Sequence, residues 1–194
     1  FTDMQKCVER LSTAIDNGEK IVIHGDFDAD GVTSTSLLYR TFKHLGADVN
    51  YFIPDREKEG HGFDTKALVK VMTQVKPKII ISCDCGISDV DAVNFLNSFK
   101  IDVIITDHHE APEELPKAYG IINPKAPNAL DEKLSTKQIT SLTSLAGVGV
   151  AFKVAQALLE KYEKLDYISE ILPYVAVGTV ADLVPLVGEN RYLV

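Results

Sequence analysis

The run Ile21-Val22-Ile23-His24-Gly25-Asp26-Phe27-Asp28-Ala29-Asp30-Gly31 joins a short β-branched stretch to one imidazole and three carboxylates. A compact apolar run of this kind reads as a buried strand. Ligating side chains crowded at its carboxyl end read as the rim of an active site. The pattern Asp-x-Asp-x-Asp-Gly also opens a calcium loop of EF-hand type. Context excludes that reading, because such a loop follows a helix and carries Glu at its twelfth position. Here a strand precedes it, and the twelfth residue counted from Asp26 is Leu37. An ordinary solvated turn matches so dense a set of ligands poorly, which leaves a transition-metal or magnesium-type site at the end of a strand.

Two later segments repeat the design. Lys78-Ile79-Ile80-Ile81-Ser82-Cys83-Asp84-Cys85-Gly86 is an apolar strand that ends in a carboxylate and a glycine. Asp102-Val103-Ile104-Ile105-Thr106-Asp107-His108-His109 ends in a carboxylate and two imidazoles. In open parallel α/β sheets, ligands bind in the crevice beyond the carboxyl ends of the strands, so the three segments should meet there. Helix-like stretches separate them, from Gly31 to about Leu45, from Asp64 to about Gln74 and from Ser88 to about Phe99, and a further strand runs from Asp48 to Ile53. This alternation predicts an α/β fold with a doubly wound, mainly parallel sheet and helices on both faces.

A chain of 194 residues with 45% hydrophobic content can bury a proper core, as one domain or one domain with a helical extension. No run reaches the roughly 18 apolar residues of a membrane span and no signal peptide opens the chain, so a soluble, cytoplasmic protein is expected. Cys7, Cys83 and Cys85 make no disulfide framework. Cys83 and Cys85 flank Asp84 at period two and should face away from it. They read as core thiols, since zinc ligands usually come as Cys-x-x-Cys pairs. The formal net charge of -8 lacks the basic excess usual for nucleic-acid binding. Two bound divalent ions would reduce it to -4 and turn the central acids into a phosphate-binding surface, so a phosphodiester substrate stays open.

Asp107-His108-His109 resembles the signature for which the DHH phosphoesterases are named. His24-x-x-x-Asp28-x-Asp30 and Asp84-Cys85-Gly86 resemble that family's first and second motifs, and Gly178-Thr179-Val180-Ala181-Asp182 its fourth. With Ile122-Asn123-Pro124-Lys125, Leu145-Ala146-Gly147-Val148-Gly149 and Gly188-Glu189-Asn190-Arg191, the string is similar to the RecJ-like branch of single-strand exonucleases. It departs from that branch at His61, where a tyrosine between two glycines is frequent.

The resemblance implies a site for two manganese ions, with magnesium as the alternative. His24, Asp28 and Asp84 would hold one ion, Asp30, Asp84, His108 and Asp182 the other, with Asp84 bridging. Carboxylates with imidazoles suit such ions by themselves. Two ions so placed can activate a water and stabilise the leaving oxygen of a phosphoryl displacement. His109 is then expected at the scissile phosphate, as electrostatic stabiliser or proton donor, and Asp107 behind it, orienting an imidazole. Asp26 is expected to support the ligands through hydrogen bonds. Arg56 is a candidate phosphate clamp, and His61 a candidate nucleic-acid contact.

The implied activity is 5′-to-3′ hydrolysis of single-stranded DNA to 5′ mononucleotides in recombination and repair. Single-strand-binding protein and helicase would be partners of the full-length protein. A phosphodiesterase for cyclic dinucleotides or short oligonucleotides would keep every ligand and change only the groove. A catalytically inactive scaffold member would have lost ligands, and every ligand position here is filled. The whole chain, 1–194, is expected to form the catalytic domain, with a polar loop over about 125–144 and a helical part over 145–194 that brings Asp182 to the metals. The resemblance implies that full-length relatives continue past Arg191 into further domains, and those domains are expected to be absent here.

Overall fold

Burial at every position of the central strands organises the molecule. The computed structural model describes residues 1–57, 62–63 and 65–194. Five strands, β1 (Ile21–Gly25), β2 (Val49–Phe52), β3 (Ile79–Cys83), β4 (Asp102–Thr106) and β5 (Gly120–Ile122), form one sheet in the order β2-β1-β3-β4-β5. All pairs are parallel, with Ile21 opposite both Val49 and Ile79, Ile79 opposite Asp102 and Ile104 opposite Gly120. Both faces are covered, so the strands read as continuous apolar runs. The expected doubly wound α/β architecture is present.

Successive side chains point to opposite faces. Ile21, Ile23, Ile79, Ile81 and Ile104 join one core with α1 (Met4–Asp16), α2 (Ala29–His44) and α6 (Gly147–Lys161). Val22, Ile80, Val103 and Ile105 join the other with α3 (Thr65–Gln74) and α4 (Val90–Ser98). Outside the first layer, α7 (Ile168–Ala181) lies on α2 and α6 after a 3-10 turn at Leu165–Tyr167. The strand order reverses between β1 and β3, and the crevice at such a switch point is where doubly wound sheets bind ligands.

Several elements go beyond the sequence reading. The amino-terminal helix α1 buries Cys7, Val8, Leu11, Ala14 and Ile15. Arg10 ties it to the sheet, donating to Asp102 at 2.6 Å and pairing with Glu19 at 2.8 Å. The stretch expected as a loop contains α5 (Thr136–Thr143), opened by a capping box in which the Ser135 hydroxyl accepts from the Gln138 N–H and the Gln138 side chain accepts from the Ser135 N–H. The last helix, α8 (Glu189–Leu193), is held by Asn190, whose buried side-chain amide donates to the carbonyls of Ser144 and Pro185. Arg191 is exposed. Among the described residues no single helix is long and apolar enough to cross a membrane.

Candidate metal centre

Each ligating segment leaves its strand differently. After β1 the chain turns at Asp26, whose Oδ1 accepts from the Phe27 N–H at 2.8 Å. Asp28 then caps α2, accepting from the Gly31 N–H at 2.9 Å. Asp30, in the first turn of α2, points toward α6 and takes both of that helix's first free N–H groups, Gly147 at 2.6 Å and Val148 at 2.8 Å. The amino terminus of α6, which has no side-chain cap, thus fixes this carboxylate.

Past β3, Asp84 adopts a left-handed conformation (φ 62°) with its N–H donated to the Thr106 carbonyl. Non-glycine residues hold such backbone only where the surroundings fix it. The turn swings the buried carboxylate of Asp84 into the crevice. Past β4, Asp107 acts as a template. Its Oδ1 accepts from the His108 N–H (2.7 Å), the His109 N–H (3.2 Å) and His109 Nδ1 (2.7 Å), and its Oδ2 accepts from the Ile87 N–H. This folds the two histidines into different directions. His108 Nε2 faces inward, 3.2 Å from Asp84 Oδ1, 3.8 Å from Asp182 Oδ2 and 3.9 Å from Asp30 Oδ2. The His109 side chain is 58% exposed at the rim. Asp182 arrives from the far layer as the residue that ends α7.

The result is a set of overlapping ligand groups. Asp26, Asp28 and Asp84 form one, Asp30, His108 and Asp182 a second, and Asp84, His108 and His109 a third, the donor atoms of each lying within 4.8 Å of one another. Burial and the neighbouring charge of Asp84 push the Asp30 carboxyl up to about 7. Burial and the charge of Asp28 push Asp84 up to about 9. Asp107 goes the other way: burial raises it, but hydrogen bonds from His109 and the backbone outweigh that and hold it below the usual carboxylate range. The bond to Asp107 raises His109 to about 9.

These carboxylates are too crowded to be ionised together without a cation. Asp84 Oδ1 and Asp182 Oδ2 are buried and accept no hydrogen bond, the condition a metal ion relieves. Oxygen donors with imidazole fit manganese or magnesium rather than a thiolate-bound ion. Cys83 and Cys85 are free and buried, and burial raises both thiols above their ordinary value. The strand alternation expected to continue through them stops at Cys83, because Asp84 turns left-handed.

Residues 20–179 match the DHH family, N-terminal domain. The chain belongs to the DHH family. Among its relatives, the single-stranded-DNA-specific exonuclease RecJ of Bacillus subtilis (strain 168) is 43% identical over 190 residues, covering 98% of this chain and 22% of that protein. RecJ of Escherichia coli (strain K12) is 38% identical over 204 residues, covering 100% of this chain and 34% of that protein. A crystal structure of exonuclease RecJ bound to manganese superposes with a TM-score of 0.83 and 34% identity, covering 98% of this chain and 46% of that one. This DHH chain spans less than half the length of each of these relatives.

Of the residues expected at the DHH site, Asp28, Asp30, Asp84, His108 and Asp182 come together, and Asp26 lies with Asp28 and Asp84 in one group. His24 is buried beside them, in none of the three groups. Its Nε2 lies 3.1 Å from the Gly62 carbonyl and its ring between Phe52 and Phe63. Arg56 is exposed, its guanidinium 5.2 Å from the centre of the Phe27 ring. His61 lies outside the described residues. Sequence reasoning assigned no role to Gly147 and Val148, whose N–H groups hold Asp30, or to Asn123. The buried amide of Asn123 donates to the His109 carbonyl at 2.9 Å. The only signal for them was their presence in motif-like strings, since backbone donors have no side-chain signature.

Proposed function

We propose that this chain is the catalytic domain of a metal-dependent exonuclease that degrades single-stranded DNA from the 5′ end to 5′ mononucleotides, in recombination and repair. The observation that carries the reading is the meeting of Asp30, His108 and Asp182 with Asp26, Asp28 and Asp84 around one crevice, in a DHH chain whose relatives bear the RecJ name. His24, Asp28 and Asp84 are assigned to one ion, Asp30, Asp84, His108 and Asp182 to a second, with Asp26 close enough to support or join the first. Two manganese or magnesium ions would supply activation of water and charge relief for the leaving oxygen.

The protein's own groups do the rest. A cavity of about 350 Å³ lined by Asp28, Asp84, Gly86, Ser88 and His109 has room for a terminal nucleotide. His109, kept cationic by Asp107, lines that cavity. There it stabilises the scissile phosphate and donates a proton to the 3′ oxygen as the P–O3′ bond breaks and a water oxygen bonds to phosphorus. Asn123 and Asp107 fix the backbone and ring of His109. Arg56, beside Phe27, is assigned to a phosphate of the strand, and His61 to nucleic-acid contact. A cytoplasmic location, with single-strand-binding protein and helicase as partners of the whole protein, follows from the same reading.

Digestion with manganese tests it, using 5′-labelled single-stranded DNA of about 30 nucleotides (enough to outrun any small-substrate pocket), a dinucleotide and cyclic di-AMP, each with an Asp84→Ala control. Release of the 5′ label as mononucleotide, lost in the variant, is the expected result. Cleavage of the small substrates alone would replace the reading with a DHH phosphodiesterase for cyclic dinucleotides or short oligonucleotides.

A further inference from the structure

A second concave site lies away from the metal centre, on the open edge of the sheet. Val32, Tyr39 and Arg40 of α2, Tyr51 of β2, Ile53 and Tyr174 of α7 line a groove of about 460 Å³, within the range of small-ligand sites. Among the described residues β2 pairs with β1 alone, and Tyr51 on it is 59% exposed. The Tyr39 ring meets Tyr51 edge-on at 5.4 Å. Lys43 Nζ lies 5.6 Å from the centre of the Tyr39 ring, and the Arg40 guanidinium 5.7 Å from that of Tyr174. Among the described residues the Nε of Arg40 is buried without an acceptor, and Glu170 stands 3.7 Å from Nη2. In a chain of formal charge -8, this groove gathers Arg40 and three tyrosines, with Lys43 against the ring of one of them.

We propose that the groove is a nucleobase-binding subsite for single-stranded nucleic acid, a step that rests on the exonuclease reading. Stacking on aromatic rings with nearby cations binds single strands without regard to sequence. Tyr51 offers its exposed ring to a base, and Arg40 and Lys43 meet the phosphates on either side. The position suits a strand whose end lies at the metal centre. Tyr39 is nine residues along α2 from Asp30, about 13.5 Å of helix, or about four stacked nucleotides at 3.4 Å each. The Phe27–Arg56 pair, next to the metal ligands, forms a similar aromatic and cationic step at the start of that path.

The chain contains no tryptophan, so Tyr51→Trp introduces a single fluorescent reporter at an exposed position. The probe is a nuclease-resistant phosphorothioate oligothymidylate of about 12 nucleotides, long enough to cover a typical single-strand site, in magnesium. Dye anisotropy reports strand binding, and indole quenching reports stacking. The expected result is quenching by the intact strand and none by a strand abasic at its third to sixth positions. Tyr39→Ala and Arg40→Ala should each weaken binding by about tenfold, the scale of one lost stacked base, and Tyr51→Phe should keep it. A strand that binds with the indole silent, or that quenches equally when abasic, overturns the subsite and leaves the exonuclease reading standing. Absence of strand binding in the parent chain overturns both.

Discussion

Gly147→Ala perturbs the metal centre through a residue that is not a ligand. A methyl group there would lie 2.5 Å from Asp84 Oδ1 and 2.8 Å from Asp84 Cβ and Cγ. Real Cβ contacts stay above 3.0 Å, so something must move by at least about 0.5 Å, the tolerance within which a functional constellation works. Asp84 cannot rotate clear, because its own Cβ is among the atoms struck and its backbone is fixed by the left-handed turn and the bond to Thr106. Helix α6 cannot retreat, because Val148, Val150 and Ala151 are buried in the core. The displacement therefore falls on Asp84 and on Asp30, which the Gly147 N–H holds at 2.6 Å. Manganese affinity should fall about 10- to 100-fold, with about 1–3 kcal/mol of overpacking lost from stability. Calorimetric titration with manganese and thermal melts measure the two effects. Gly149→Ala is the control, since the nearest atoms to its methyl belong to Leu145, Cδ2 at 2.9 Å and Cβ at 3.3 Å, and not to a ligating carboxylate. It should keep its manganese affinity. Unchanged affinity in Gly147→Ala, or an equal loss in Gly149→Ala, would refute the reasoning.

Three other expectations follow from the same geometry. Asp30 and Asp84 are raised to about 7 and about 9. Folding therefore favours their protonated forms, and the stability this supplies at low pH is lost as pH rises through those values. His109, raised to about 9, acts in the same direction above its ordinary value. In EDTA the melting temperature should fall between pH 6 and pH 9, and saturating manganese should remove the decline; a rise in EDTA would contradict the assignment. Asp107→Asn puts an amide NH2 against a donor, so His109 should titrate nearer its ordinary value of 6.5, followed by ring proton NMR, with about 1–3 kcal/mol of stability lost. A His109 that still titrates near 9 would show that Asp107 is not what charges it. Ser135→Ala removes the capping box of α5, a helix with no buried residue, at about 0.5–2 kcal/mol. Amide exchange across Thr136–Thr143 should speed up, and unchanged protection would mean that packing, not the cap, holds the helix.

Much of this was legible in the chain itself. Continuous β-branched runs ending in Asp or His announced strands buried on both faces with chemistry at one end, because a parallel sheet hides both faces of a strand and opens only its carboxyl edge. Elements with weaker patterns escaped. β5 is three residues long, too short for a period to show, and α5 sits in a polar stretch where only Ser135 and Gln138 signal a helix.

The sequence by itself determined which residue types could bind metal and that three strand ends would deliver most of them. Tertiary structure alone decided how they meet. The left-handed turn at Asp84, the engagement of Asp30 by the first N–H groups of α6 and the arrival of Asp182 from a helix outside the sheet layer depend on contacts between segments far apart in sequence. The same holds for the buried oxygens of Asp84 and Asp182 that accept no hydrogen bond. Local sequence fixes which side chains are available, but the crowding of charge that calls for a cation exists only where the folded core excludes water.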